Sequence, residues 1–518
     1  MRIKTITWIV TLAVFYALAM PVRLAAQDNT KQDQPHKYHH YQLVDIGTFG
    51  GPNSSFVGPP PEVRLLNNRG VAVGGADSPT PDPTSCFNFD CFLSDGFKWQ
   101  DGVAHELGAL PGFNSSIALW VSDNGLVAGI SENGIDPLTG GLALEAILWG
   151  KDGSINDLGT LGGNQSGANA VNNSGQVVGG ALNTIPDLYP GFFFLPGATQ
   201  VHAFRWTNSK GMQDLGTLGG TDSSAVFVNA RGQIAGWSFT NATPNSAITA
   251  CGFFAVNVPT EDPFIWMNGK MTDLGTLGGT CGQANSLNNR GQVAGFSDLA
   301  EDSTEHPFLW SDREGMKDLG TLGGTFGHAD FLNDAGEVVG TATTTGDLFG
   351  RAFLWRNGVM TNLGTLGTDP DSEAFSVNLQ GQVVGNTGIF GVVDHSAFLW
   401  ENGGPMVDLN TLVPPNPNLQ LTHALYINDR GEIAAEGTIS NGDIHAFVLI
   451  PCDENHGDVE GCDFDAVDAE TAAQVRPAKF TAPSAASSFA NLSPAERVTR
   501  FRSTMANRNR HFGALPPK

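Results

Sequence analysis

Positive charge is scarce in this chain: 27 Lys and Arg face 52 Asp and Glu, for a formal net charge of −25 over 518 residues. That balance excludes nucleic acid as a partner, because a phosphate backbone is met by a basic face. Charged residues of both signs reach only 15%, too few for long solvated helices. After residue 20 no apolar run is long enough to cross a membrane, so a spanning protein is excluded as well. The six cysteines show none of the Cys and His spacing of a zinc site, so no metal or other cofactor is expected. Neither Gly-x-Ser-x-Gly nor His-Glu-x-x-His occurs.

What the chain does have is glycine and proline, 65 and 29 residues respectively, which point to many short strands and turns. Residues 1–26 read as a signal peptide, with Arg2 and Lys4 before the apolar run from Ile6 to Met20. Ala17-Leu18-Ala19 and Leu24-Ala25-Ala26 are both candidate cleavage sites, and 27–40 is a linker. Export to an extracellular or periplasmic setting makes disulfides the natural reading of an even cysteine count. The expected pairs are Cys86–Cys91, Cys251–Cys281 and Cys452–Cys462.

Self-similarity is the dominant signal. Asp-Leu-Gly-Thr-Leu-Gly-Gly begins at Asp157, Asp214, Asp273 and Asp318, with variants at Asp45, Glu106, Asn362 and Asp408. The period is about 45 residues plus insertions, a length typical of four-stranded repeats. In the unit at Asp318, four short runs alternate with turns: Ala329 to Leu332, Glu337 to Gly340, Arg351 to Trp355, and Met360 to Leu366. The first turn, Asn-x-x-Gly, recurs at Asn67, Asn172, Asn229, Asn288, Asn333, Asn378 and Asn428, with Ser122 substituting once. Arg356-Asn357-Gly358-Val359 is a two-residue hairpin loop of type I′ chemistry. It sets Trp355 opposite Met360 and Phe353 opposite Asn362. Trp99, Trp149, Trp206, Trp266, Trp310, Trp355 and Trp400 all occupy this third-strand place. The acidic or amide side chain seven residues on is expected to accept hydrogen bonds from the turn backbone or a Trp N–H.

Four antiparallel strands per repeat predict an all-β propeller spanning 41–450. Eight first-to-third-strand triples are present, and eight fourth strands. One fourth strand, Tyr41 to Phe49, precedes every triple, and the last triple has none after it. A ring of eight blades closed by the N-terminal strand satisfies both ends; seven blades is the alternative.

The pattern resembles the extracellular HAF-repeat proteins of bacteria. His202-Ala203-Phe204 and His445-Ala446-Phe447 carry the motif, with looser copies at His306-Pro307-Phe308 and Ser396-Ala397-Phe398. The resemblance implies a secreted repeat protein and supplies no catalytic residues.

Insertions in the first four units are assigned to second-to-third-strand loops, at about 76–95, 131–144, 181–200 and 240–262. They crowd one face of the ring and carry Phe87, Phe89, Phe92, Tyr189, Phe192, Phe193, Phe194, Phe253 and Phe254. Long aromatic loops on a rigid scaffold suit recognition. The expected role is therefore a monomeric binding scaffold for cell-surface polysaccharide or protein, with a polysaccharide hydrolase or lyase using loop carboxylates as the alternative. Residues 451–465 form an acidic loop bounded by cysteines, whose glycine order departs from an EF-hand. Residues 466–518 are a linker and a short basic helical tail opening on the capping box Ser493-Pro494-Ala495-Glu496. Residues 476–518 hold eight Lys and Arg against Glu496 alone.

Overall fold

The computed structural model describes residues 37–56, 64–82, 91–135, 142–187, 199–243, 245, 259–302, 304–389, 393–401, 403–457 and 459–468. The signal segment and the basic tail lie outside them. Each repeat lays down four antiparallel strands in chain order. In the unit at Asp318 these are Gly323–Leu332, Val338–Thr344, Gly350–Arg356 and Val359–Asn362. The hairpin has the expected register, with Trp355 opposite Met360 and Phe353 opposite Asn362. Asn357 and Gly358 both take positive φ, 52° and 88°, as a type I′ turn requires. One boundary differs from expectation. The fourth strand stops at Asn362, where the side-chain oxygen accepts the Gly364 N–H at 2.9 Å and turns the chain toward the next sheet.

Seven such sheets follow one another over 54–106, 116–157, 166–214, 223–273, 278–318, 323–362 and 371–408. The fourth to sixth are joined into one run by single parallel bridges, Glu261 to Cys281 and Glu305 to Phe326. An eighth sheet combines Leu419–Ile427, Ile433–Ile439 and Ile444–Pro451 with the N-terminal strand Tyr41–Asp45. This is β-propeller architecture, an all-β stack of four-stranded sheets.

The repeat residues bolt each sheet to the next. The third-strand Phe is fully buried at Phe97, Phe204, Phe264, Phe308, Phe353 and Phe398. Within the sheet, a glycine on the second strand makes room for the first strand: a Cβ at Gly340 would stand 2.0 Å from the His328 carbonyl oxygen. A serine at the start of the first strand accepts from the preceding sheet's third strand. Ala146 N–H donates to Ser166 at 2.9 Å, Ala203 to Ser223 at 2.9 Å and Ala352 to Ser372 at 3.0 Å. Between the eighth and first sheets the same bond recurs, Ala446 N–H to Ser54 at 3.1 Å.

The first turns form a ladder around the axis. The side-chain amide of Asn172 donates to the Asn229 carbonyl, Asn229 to Asn288, Asn288 to Asn333, Asn333 to Asn378 and Asn378 to Asn428. Asn428 then donates to Asn67, and Asn67 to Ser122. Ser122 has no amide to pass the ladder on, and Asn124 bonds Asn173 instead. These turns and the third-to-fourth-strand hairpins lie together on one face, the turn face. Second-to-third-strand loops and connections between sheets make up the other, the loop face.

The first unit corrects the expected placement of insertions. Its inner strand is in two parts, Ser54 and Ser55 pairing with Gly75 and Ala76, and Leu66 bridging Ala72. Ten residues separate Ser55 from Leu66 in the chain, so part of this unit's extra length lies outside its second-to-third-strand loop.

Candidate functional site

The position two residues before the third-strand Phe explains the HAF motif. On a pleated strand it shares a face with that Phe, beside the fourth-strand acid. His202 Nδ1 meets Asp214 at 2.9 Å, His306 meets Asp318 at 2.9 Å and His445 meets Asp45 at 2.9 Å. Each aspartate also accepts a turn N–H, from Gly216, Gly320 and Gly47. Burial works against the Asp214 and Asp318 charges, but the histidine and glycine hydrogen bonds outweigh it and hold both carboxyls low.

In three other sheets an acid replaces the histidine. Burial first, and then the neighbouring carboxylate, pushes Asp95 beside Glu106 up to about 7. Glu145 beside Asp157 and Asp262 beside Asp273 are pushed up to about 7 for the same reasons. Asp157 and Asp273 also accept turn N–H groups, from Gly159 and Gly275. The tryptophans pack one step further along. Trp99, Trp149, Trp266, Trp355 and Trp400 are buried and Trp206 and Trp310 half-buried, while Arg205 covers Trp266 and Lys317 covers Trp355. The Trp149 N–H donates to the Gly108 carbonyl, not to the repeat acid.

Of the aromatic loop residues, Phe92 is described: it is half-buried and opens the third strand of the first sheet opposite Pro81. Phe87, Phe89, Tyr189, Phe192, Phe193, Phe194, Phe253 and Phe254 lie outside the described residues. Cys452 and Cys462 are bonded. Cys91 and Cys281 are also disulfide-bonded, and their expected partners Cys86 and Cys251 lie outside the described residues.

Sequence reasoning missed a polar cluster on the loop face of the seventh and eighth sheets. A bulge between Leu421 and His423 in the innermost strand sets Thr422 Oγ1 3.0 Å from His423 Nδ1. His423 Nε2 meets Asp394 at 3.0 Å, and Asn386 holds the second Asp394 oxygen at 2.6 Å. Burial disfavours the His423 charge, yet the bond to Asp394 and the charges of Asp394 and Glu436 raise its pKa overall. Burial raises the Glu436 carboxyl, which accepts the Phe56 N–H of the first sheet at 2.7 Å. Next to Asp394, His395 meets Asp369 at 2.8 Å. The available signal was a histidine five residues before the repeat asparagine, at His423 before Asn428 as at His328 before Asn333. Among the described residues no three His, Cys, Asp or Glu side chains are placed to hold a metal ion, and no helix is long and apolar enough to cross a membrane.

On the turn face the Asn ladder rims an axial cavity of about 210 Å³. Trp120 meets Phe227 edge-on at 5.4 Å and Phe331 meets Tyr426 at 5.7 Å across its floor. Arg64 bonds Asp123 and Tyr426 within it. Rim side chains are engaged with one another, as in Asn289 with Asp334 and Asn68 with Asp429.

No protein-family model matches the chain, and no curated protein matches it. Among solved structures it is similar to an acylaminoacyl peptidase of Pyrococcus horikoshii, at 11% identity and TM-score 0.38 over 77% of this chain and 57% of that one. It is also similar to the β-propeller domain of the Trilobed protease from Pyrococcus furiosus, at 10% identity and TM-score 0.38 over 68% and 96%. TolB from Acinetobacter baumannii matches at 10% identity and TM-score 0.28 over 62% and 79%. The architecture rests on the sheets themselves.

Proposed function

We propose that this chain is a secreted HAF-repeat protein whose eight sheets are the blades of one closed ring, and that the ring is a binding scaffold. Recognition falls on the loop face over the first four blades. The observation that carries this reading is the uneven length of the second strands. In the first and third sheets they run for ten residues, Ala72–Pro81 and Val177–Pro186, and their last three residues stand exposed. In the second sheet it runs for nine, Val127–Ile135, in the fourth for six, Ile234–Phe239, and in the fifth to eighth for seven. The longer arms belong to the first three sheets alone, and aromatic residues in the sequence that follows them suit contact with a sugar ring or a protein anchor.

The test is a binding screen of the mature protein on an array of bacterial surface glycans, repeated with Phe192, Phe193 and Phe194 all changed to Ala. The reading expects reproducible binding to be weakened at least tenfold while thermal unfolding stays within a few degrees. Unchanged binding with a lowered melting temperature would assign those rings to loop packing and remove the recognition role.

A further inference from the structure

The few basic residues of the sheets are segregated by face. Arg69, Arg231, Arg290 and Arg430 occupy the first turns, and Lys151 and Arg313 the third-to-fourth-strand turns, all exposed on the turn face. No Lys or Arg occurs in any second-to-third-strand loop or connection between sheets from residue 46 to 443. Arg351, the second residue of a third strand, is the nearest. The loop face exposes Asp45, Asp157, Asp214, Asp273, Glu301 and Asp318. A mixed surface intersperses both signs; this one is a single-sign field, which concentrates cations at it.

We propose that residues 476–518 of this chain dock on the loop face of its own sheets. The segment holds eight Lys and Arg against Glu496 alone, the opposite of the surface offered. The described chain leaves the sheets at Asp468. From there to Arg497 the chain, at about 3.3 Å per extended residue, reaches either face, so charge selects between them and tether length does not. The turn face interleaves its arginines with Asp101, Asp152, Asp312, Glu314 and Asp334 and offers no single-sign field. Tethering supplies an effective concentration on the order of millimolar, enough for a contact too weak to hold as a separate peptide. The docking stands independently of the aromatic loops.

Zero-length carbodiimide coupling on the full mature chain tests it, with Lys479 and Lys518 as amines and a mixture of isotope-labelled and unlabelled protein. The expected products join these lysines to Asp45, Asp214, Asp273 or Asp318 within one chain. Their yield should fall about tenfold from 0.01 M to 1 M salt, as the Debye length shrinks from about 30 Å to about 3 Å. A similar fall is expected when Arg497, Arg500, Arg502 and Arg508 are all changed to Gln. Coupling to Asp152 or Asp312 on the turn face, coupling between chains, or no coupling at low salt would each overturn the proposal.

Discussion

At the scale of single residues, the repeat asparagine carries more structure than its turn requires. Asn333 accepts the Ala335 and Glu337 N–H groups through Oδ1, and its amide donates to Glu337 and to the Asn378 carbonyl in the next sheet. Asn333→Ala strands several buried groups at once, each costing about 1–3 kcal/mol. The loss should be about 3 kcal/mol in urea unfolding, against about 1 kcal/mol or less for the exposed neighbour Asp334→Ala, whose bonds to Asn289 compete with water. The turn itself was legible, because Asn-x-x-Gly has a local chemistry. The ladder was not, since its partners lie a whole repeat away and only the stacking of sheets brings them together.

The paired acids give a pH dependence with a definite sign. Asp95, Glu145 and Asp262 rise from ordinary values near 4 to about 7 in the fold, so the folded state binds protons that the unfolded chain has released. Their contribution is fully present below about pH 4 and is lost as pH rises through about 7. Asp214 and Asp318 are held low, so theirs is lost in the other direction, as pH falls below the ordinary range. Thermal stability should therefore peak near pH 4 and decline from there to about pH 7. Glu145→Gln should flatten the decline between about pH 4 and 7; an unchanged slope would show that the pair does not carry it.

Among whole elements, the clasp at the end of the repeats is the most exposed to test. Cys452 follows the last strand directly, its N–H bonds the His40 carbonyl at 2.8 Å, and Val467–Asp468 pairs with Lys37–Tyr38. The Cys452–Cys462 bond thus keeps a short loop over the N-terminal strand. Closing a loop of this size is worth about 3 kcal/mol on a chain-entropy basis. Cys452→Ser with Cys462→Ser should lower the melting temperature by several degrees and leave the other two disulfides intact. Strand order and hairpin register could be read from the sequence because tight turns fix them. The two-part inner strand of the first sheet and the bulge that pairs Thr422 with His423 could not. Both depend on which residue is left unpaired in a ladder, which composition does not reveal.

At the scale of the whole molecule, the eighth sheet joins the two ends of the array. Tyr41–Asp45 pairs along its full length with the last strand of the repeats, Gln42 standing opposite Ile450. The bonds from Ala446 to Ser54 and from Asn428 to Asn67 repeat those between other neighbours. The need for a missing partner at each end of the array was visible in the sequence, as a count of strands. The aromatic face proposed for recognition was visible only as length and composition, because long loops lack the repeat that disciplines the rest. The most direct measurement is a cross-strand disulfide between two half-exposed positions, Gln42→Cys with Ile450→Cys. Opposed residues on paired strands have Cβ atoms about 4.5–5.5 Å apart, near enough to bridge with slight adjustment. Peptide mapping of the oxidised variant should find residues 42 and 450 joined within one chain and the melting temperature raised. Free thiols at both positions, or a bond only between chains, would contradict a ring closed by its N-terminal strand.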